Sequence, residues 1–246
     1  MCCEALLSTQ KGKIMKYDIL GSSDNPLVEI HLDANERVKI ERGAMVYMQD
    51  VVIEGKTNSH SSGIGGIFKA VARSVATGES MFITEATGTA DGGRIGIAPS
   101  VPGRIARLEV GPNQYRLNTG AFLACDDTVS YNVVSQNNLG KMVFGGTGGI
   151  FVMETTGSGD VLVNSFGDIV ELEVTSAKPL IIDNVHVVAW DRNLDYQIKV
   201  ASGTFGFISG EGLVNEFHGN GRVLIQTRNL RSLADAIKVF LPSSSN

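Results

Sequence analysis

The sequence predicts a mainly β fold: three internal repeats of a β-sandwich-like unit around a pseudo-threefold axis, with one short inserted helix and a C-terminal helix. Three observations carry that expectation. Glycine is abundant, at 29 residues against 6 prolines, which suits many short strands joined by tight turns. Apolar and polar residues alternate at a period of two in Val28-Glu29-Ile30-His31-Leu32 and Tyr196-Gln197-Ile198-Lys199-Val200, the period of a half-buried strand. Short sequence frames also return in the same order along the chain, the mark of an internal repeat.

The clearest frame is Phe82-Ile83-Thr84-Glu85-Ala86-Thr87-Gly88. It returns as Phe151-Val152-Met153-Glu154-Thr155-Thr156-Gly157 and as Leu213-Val214-Asn215-Glu216-Phe217-His218-Gly219. Gly103-Arg104-Ile105-Ala106-Arg107-Leu108-Glu109-Val110 returns as Gly167-Asp168-Ile169-Val170-Glu171-Leu172-Glu173-Val174. Gly43-Ala44-Met45-Val46-Tyr47 corresponds to Gly120-Ala121-Phe122-Leu123-Ala124 and more loosely to Val185-His186-Val187-Val188-Ala189. A unit of roughly 65–75 residues cannot cover its own sheet, so the copies are expected to pack as one domain. Phe82, Phe151 and Leu213 are its expected equivalent core positions. Turn chemistry falls between the strands, at Gly92-Gly93, Gly145-Gly146, Gly148-Gly149, Gly157-Ser158-Gly159-Asp160 and Gly219-Asn220-Gly221.

Two segments leave the β pattern. Gly66 to Val75 has helical spacing, with Ile67, Val71 and Val75 on one face. The tail from Leu230 to Phe240 aligns Leu233, Ile237 and Phe240 before Pro242 stops it. The domain is therefore assigned to residues 15–241, after a flexible extension over 1–14 and before a tail over 242–246. Strand-like sequence begins at Met15, which is a candidate for the true start.

Composition narrows the function classes. The net charge is −5 and there is no basic run, so no nucleic-acid partner is expected, because phosphate neutralisation needs clustered Lys and Arg. No apolar run approaches the ~18 residues of a bilayer span. Cys2, Cys3 and Cys125 form neither a metal-ligand spacing nor a disulfide framework. The N-terminus carries Glu4 where a signal peptide has its basic region, and a cytoplasmic location is expected.

Four segments resemble a known family: Gly78-Glu79-Ser80-Met81-Phe82, Gly120-Ala121-Phe122-Leu123-Ala124, Asp183-Asn184-Val185-His186-Val187-Val188-Ala189-Trp190-Asp191 and Gly210-Glu211-Gly212-Leu213-Val214. The family is that of the bacterial and mitochondrial proteins named for altered inheritance of mitochondria, member twenty-four in yeast, and the resemblance runs from about Met15 to Phe240. It implies a triplicated fold of the double-stranded β-helix kind, similar to the ring-forming trp RNA-binding attenuation protein. It implies no established enzyme activity. Its mitochondrial members are associated with inner-membrane organisation, but no Arg- and Ser-rich presequence is present to carry that location over.

The candidate chemistry is sparse. Glu85, Glu154 and Glu216 occupy one repeat position; convergence on an axis would build a cation site or raise their pKa values, whereas the structural alternative has each holding a turn or a backbone amide. Glu216 and His218 lie two apart and share a strand face, a minimal element of a cupin-like metal cluster. Only His31, His60 and His186 accompany His218, too few and too scattered for a metal site to be expected. Cys125 is followed by Asp126 and Asp127, which disfavour a thiolate. Gly145-Gly146-Thr147-Gly148-Gly149 lacks the Lys-Ser or Lys-Thr of a phosphate loop. Trp190 reads as a packing anchor. The expected role is a non-catalytic, homo-oligomeric scaffold or binding protein with no cofactor. Ile67, Phe68, Lys69 and Arg73 form a candidate surface for a protein or membrane-associated partner. A cupin-like small-ligand or metal-dependent enzyme is the first alternative, and an RNA-binding protein the second.

Overall fold

The structure is a computed structural model and describes residues 14–57, 82–135, 151–200 and 213–241. The expected helix with Ile67, Phe68, Lys69 and Arg73, the Gly145–Gly149 run, His60 and both termini lie outside the described residues, as do the side chains of Phe82 and Phe151.

The described chain is mainly β, with nineteen strands and one C-terminal helix. The first stretch holds β1 (Lys16–Ser22), β2 (Asn25–Leu32), β3 (Arg37–Glu41), β4 (Met45–Gln49), β5 (Val51–Thr57), β6 (Phe82–Gly88) and β7 (Gly93–Ile97). The second holds β8 (Ile105–Val110), β9 (Tyr115–Asn118), β10 (Phe122–Asp126), β11 (Val129–Ser135), β12 (Phe151–Gly157) and β13 (Gly159–Asn164). The third holds β14 (Ile169–Val174), β15 (Leu180–Asp183), β16 (Val187–Asp191), β17 (Asp195–Val200), β18 (Leu213–His218) and β19 (Gly221–Gln226), followed by helix α1 (Leu230–Lys238). Short 3₁₀ turns at Thr119–Ala121 and Asn184–His186 lead into β10 and β16.

The strands make four antiparallel sheets, in the orders β1-β2-β7-β4, β5-β6-β3-β10-β13-β8, β11-β12-β9-β16-β19-β14 and β15-β18-β17. Alternation decides which side chains go inside. In β2 the buried positions include Val28, Ile30 and Leu32, while Glu29 and His31 face outward. In β18 the buried positions are Leu213, Asn215 and Phe217, with Glu216 and His218 on the opposite face. The glycine pairs at 157/159 and 219/221 close the β12–β13 and β18–β19 connections, and Gly157, Gly159 and Gly219 have positive φ.

Three apolar clusters fill the spaces between facing sheets. The first joins Val28, Ile30, Ile95 and Ile97 to Val38, Ile40 and Leu123. The second joins Leu108, Val110 and Val161 to Leu117, Val129 and Val188. The third gathers Trp190, Phe217, Leu194 and Val223. Trp190 is fully buried and meets Tyr196 and Phe217 edge-on, with ring centroids 5.0 and 5.6 Å away, which is a packing role.

Helix α1 starts where Asn229 caps it, its side chain accepting a hydrogen bond from the Ser232 N–H at 2.8 Å. None of its residues is buried, and Leu230, Leu233 and Ile237 stay exposed. Among the described residues no helix is long and apolar enough to cross a membrane.

Candidate functional site

A cleft of about 800 Å³ opens between helix α1 and three connecting loops. The chain turns back at the same end of the molecule between β1 and β2, between β7 and β8, and between β13 and β14. These turns stack by backbone hydrogen bonds. The Gly103 N–H donates to the Asp24 carbonyl at 2.7 Å, Gly167 to Pro102 at 2.9 Å, and Arg228 to Phe166 at 3.1 Å. The approach is close because Gly103 has no side chain: a Cβ there would stand 1.9 Å from the Ser165 carbonyl oxygen.

The stacked turns carry charge. Arg104 Nε donates to Asp168 Oδ1 at 2.8 Å, and its Nη2 lies 3.7 Å from Asp24 Oδ1. Opposite them, His186 Nδ1 lies 2.6 Å from the Gln226 carbonyl. A carbonyl only accepts, so Nδ1 bears the hydrogen and Nε2 is left to accept from Asn229 Nδ2 at 3.0 Å. Because Asn229 also caps α1, His186 ties the helix to the sheet. The cleft thus offers carboxylates, the guanidinium of Arg228 and an apolar wall from Leu233 and Ala236.

The three glutamates are elsewhere. Glu85, Glu154 and Glu216 lie in the interior strands β6, β12 and β18 of three different sheets, and none lines the cleft. Glu85 is buried with Arg37 Nη1 3.6 Å away. Glu154 accepts from Arg116 Nε at 2.7 Å, with Arg192 3.9 Å off. Glu216 accepts from Lys199 at 2.8 Å, and its other oxygen lies 2.8 Å from His218 Nε2. The Lys199 ammonium and then His218 hold the Glu216 carboxyl below the usual carboxylate range. The structure therefore brings Glu216 and His218 together, as their spacing implied, but not the three glutamates; Glu154 and Glu216 bind cations where backbone amides were the structural alternative. Among the described residues no three His, Cys, Asp or Glu side chains stand close enough to hold a metal ion.

The other candidates are structural. Burial pushes the Cys125 thiol up to about 12, with Asp126 and Asp127 adding to it and Lys39 opposing. His31 Nε2 lies 2.9 Å from Asp18 on the outer face of the first sheet. Sequence reasoning missed the cations that engage the glutamates, and it missed Arg104 and Asp168. A signal for the latter was present: the Gly103-Arg104 and Gly167-Asp168 frames align, with opposite charges after each glycine.

Comparisons with known proteins agree on one relationship. The family described as mitochondrial biogenesis AIM24 matches residues 17–228. An uncharacterised protein of Streptococcus pyogenes serotype M6 is 46% identical over 234 residues, covering 94% of this chain and 93% of that protein. A crystal structure of a Streptococcus pyogenes protein, determined by a structural genomics consortium, superposes with a TM-score of 0.77 at 42% identity, covering 92% of this chain and all of that one.

Proposed function

This chain belongs to the mitochondrial biogenesis AIM24 family, and from that premise we propose that it is a non-catalytic scaffold or binding protein, acting in the cytoplasm as a homo-oligomer through partner contacts. One observation carries the reading. Helix α1 stands on the fold with its apolar residues uncovered: Leu230 is 58% exposed, Ile237 47% and, just beyond the helix, Phe240 85%. Apolar side chains aligned on a helix and left in water are a surface for another macromolecule. The ion pairs of Glu154 and Glu216 and the buried thiol of Cys125 favour the same reading, because each is held in a bond or an environment unsuited to turnover.

The reading includes three diverged copies of one unit. Supporting it, β7 lies between β2 and β4, β13 between β8 and β10, and β19 between β14 and β16. Likewise β6 lies between β5 and β3, β12 between β11 and β9, and β18 between β17 and β15. A register shift falls at the same place in all three, between Met45 and Tyr47, Phe122 and Ala124, and Val187 and Ala189.

A photo-crosslinking residue placed at Ile237 or Phe240 in living cells tests the proposal. A reproducible protein adduct is expected there and not from Asp235 on the polar side. Equal labelling from both positions, or none from either, would remove the support that α1 gives.

A second reading, small-ligand binding, is favoured by the cleft itself, where Asp168, His186 and Arg228 converge beside Leu233. Mass spectrometry of the intact, gently purified protein separates the two, since a retained small molecule would promote the cleft over the helix.

A further inference from the structure

Most edges of the four sheets are of two recurring kinds. The strands β5, β11 and β17 each end a sheet, as do β8 and β14, while β1 covers the corresponding edge of β2. Two edges have no such counterpart. The strands that correspond to β4 are β10 and β16, and those that correspond to β15 are β3 and β9; all four are interior. They meet as β3 with β10 and as β9 with β16, antiparallel in both cases. Among the described residues the chain thus makes one kind of junction twice and leaves its two halves, a β4 edge and a β15 edge, unjoined at opposite ends of the series.

The registers show what each junction contains. Cys125 stands opposite Lys39, and Trp190 opposite Arg116. Each cation reaches across to the turn that follows its partner strand. Lys39 Nζ donates to the carbonyls of Asp127 and Val129 at 2.6 and 2.8 Å, and Arg116 Nη1 to those of Arg192 and Leu194, both at 3.1 Å. The pairing of β15 with Glu216 on β18 puts Ile181 where Lys39 and Arg116 stand opposite Glu85 and Glu154. The pairing of β4 with β7 puts Met48 where Cys125 and Trp190 stand. The unjoined edges therefore carry an isoleucine where the closed junctions have a cation, and a methionine where they have a buried cysteine or tryptophan. Both are uncovered, Ile181 being 58% exposed and Met48 43%, and Val46 beside Met48 is 56% exposed. By contrast Cys125, Trp190 and Leu123 are buried.

We propose that the β15 edge of one copy pairs antiparallel with the β4 edge of the next, Ile181 opposite Met48, joining the three-stranded and four-stranded sheets into one continuous sheet across the subunits. The proposal rests on the triplicated reading above and names the partner as a second copy of this chain. A sheet edge with no further strand beside it among the described residues, and with apolar side chains, is a template for strand pairing, and the complementary edge is on the same molecule. The contact is head-to-tail, so it generates a ring if the rotation closes and a filament if it does not.

Light scattering coupled to size exclusion tests it with the full chain. Wild type is expected to run as a multimer, and Met48→Glu and Ile181→Glu, each checked for native circular dichroism, as monomers. Mixed in equal amounts, the two variants should form a dimer and nothing larger, because only one junction can be made: the intact β15 of the Met48→Glu copy with the intact β4 of the Ile181→Glu copy. Wild type that stays monomeric, either variant keeping the wild-type mass, or a mixture that remains monomeric would each overturn the junction. A monomer that still crosslinks a protein from Ile237 would leave the binding role standing while removing the self-assembly.

Discussion

Arg116 joins more of the structure than any residue the sequence singled out, and replacing it gives a defined expectation. Its Nε holds Glu154 at 2.7 Å, its Nη1 holds two carbonyls at 3.1 Å, and its guanidinium lies 5.2 Å from the Tyr196 ring centroid. The pair is shielded, with Arg116 21% and Glu154 19% exposed. A charge-assisted bond contributes about 1.5–3 kcal/mol, each carbonyl bond about 1 kcal/mol, and the cation over the ring about 0.5–1 kcal/mol. These overlap and do not add fully, so Arg116→Met should lose about 3–5 kcal/mol. For a chain of this length that lowers the melting temperature by roughly 6–20 °C. Urea is the suitable denaturant, because guanidinium salt would screen the ion pair. Arg116→Lys should recover less than half of the loss, since an ammonium cannot hold the carboxylate and both carbonyls in one plane. A loss below about 1 kcal/mol for Arg116→Met would refute the claim that this cation secures the β9–β16 junction.

Two further outcomes follow from the geometry. Gly103→Ala should prevent native folding or cost several kcal/mol, because its Cβ would overlap the Ser165 carbonyl, whereas Gly111→Ala, with nothing within 4 Å, should melt like wild type. Burial pushes the Glu41 carboxyl up from 4.5 to about 7, so the folded chain binds more protons than the unfolded one between those values. Stability must then fall as pH rises from about 4.5 through 7 and level off above. Urea melts of Glu41→Gln should show that slope reduced and the variant more stable than wild type at pH 8; an unchanged slope would show that Glu41 is not its source.

What could be read from the sequence was whatever depends on near neighbours. Alternation marked β2 and β17, and the glycine turns marked the β12–β13 and β18–β19 connections, because a strand's two faces and a turn's φ are set within a few residues. The aligned face of α1 was legible for the same reason. Partner choice was not. Glu154 finds Arg116 38 residues away and Glu216 finds Lys199 17 away, distances over which spacing carries no information. The sequence frames aligned the glutamates with one another but said nothing of the cations that engage them. Ile181 shows the same limit from the apolar side. Within Leu180-Ile181-Ile182 it looks like core, but β15 is an edge strand among the described residues and Ile181 is 58% exposed.

The bond that ties the start of the described chain to its middle has a consequence for how the protein comes into being. The Met15 N–H donates to the buried Asp126 carboxylate at 2.6 Å across 111 residues, and Lys39 waits 90 residues for the Val129 carbonyl. During synthesis β1 to β7 emerge well before β10, so the β3 edge stays bare and Leu123, Ala124 and Leu162 of the first apolar cluster are missing. Closing such long loops must precede the contacts that reward it, a topology that slows folding in general. The nascent chain thus displays an open sheet edge for as long as translation of those residues takes, and such an edge is a template for pairing with another chain.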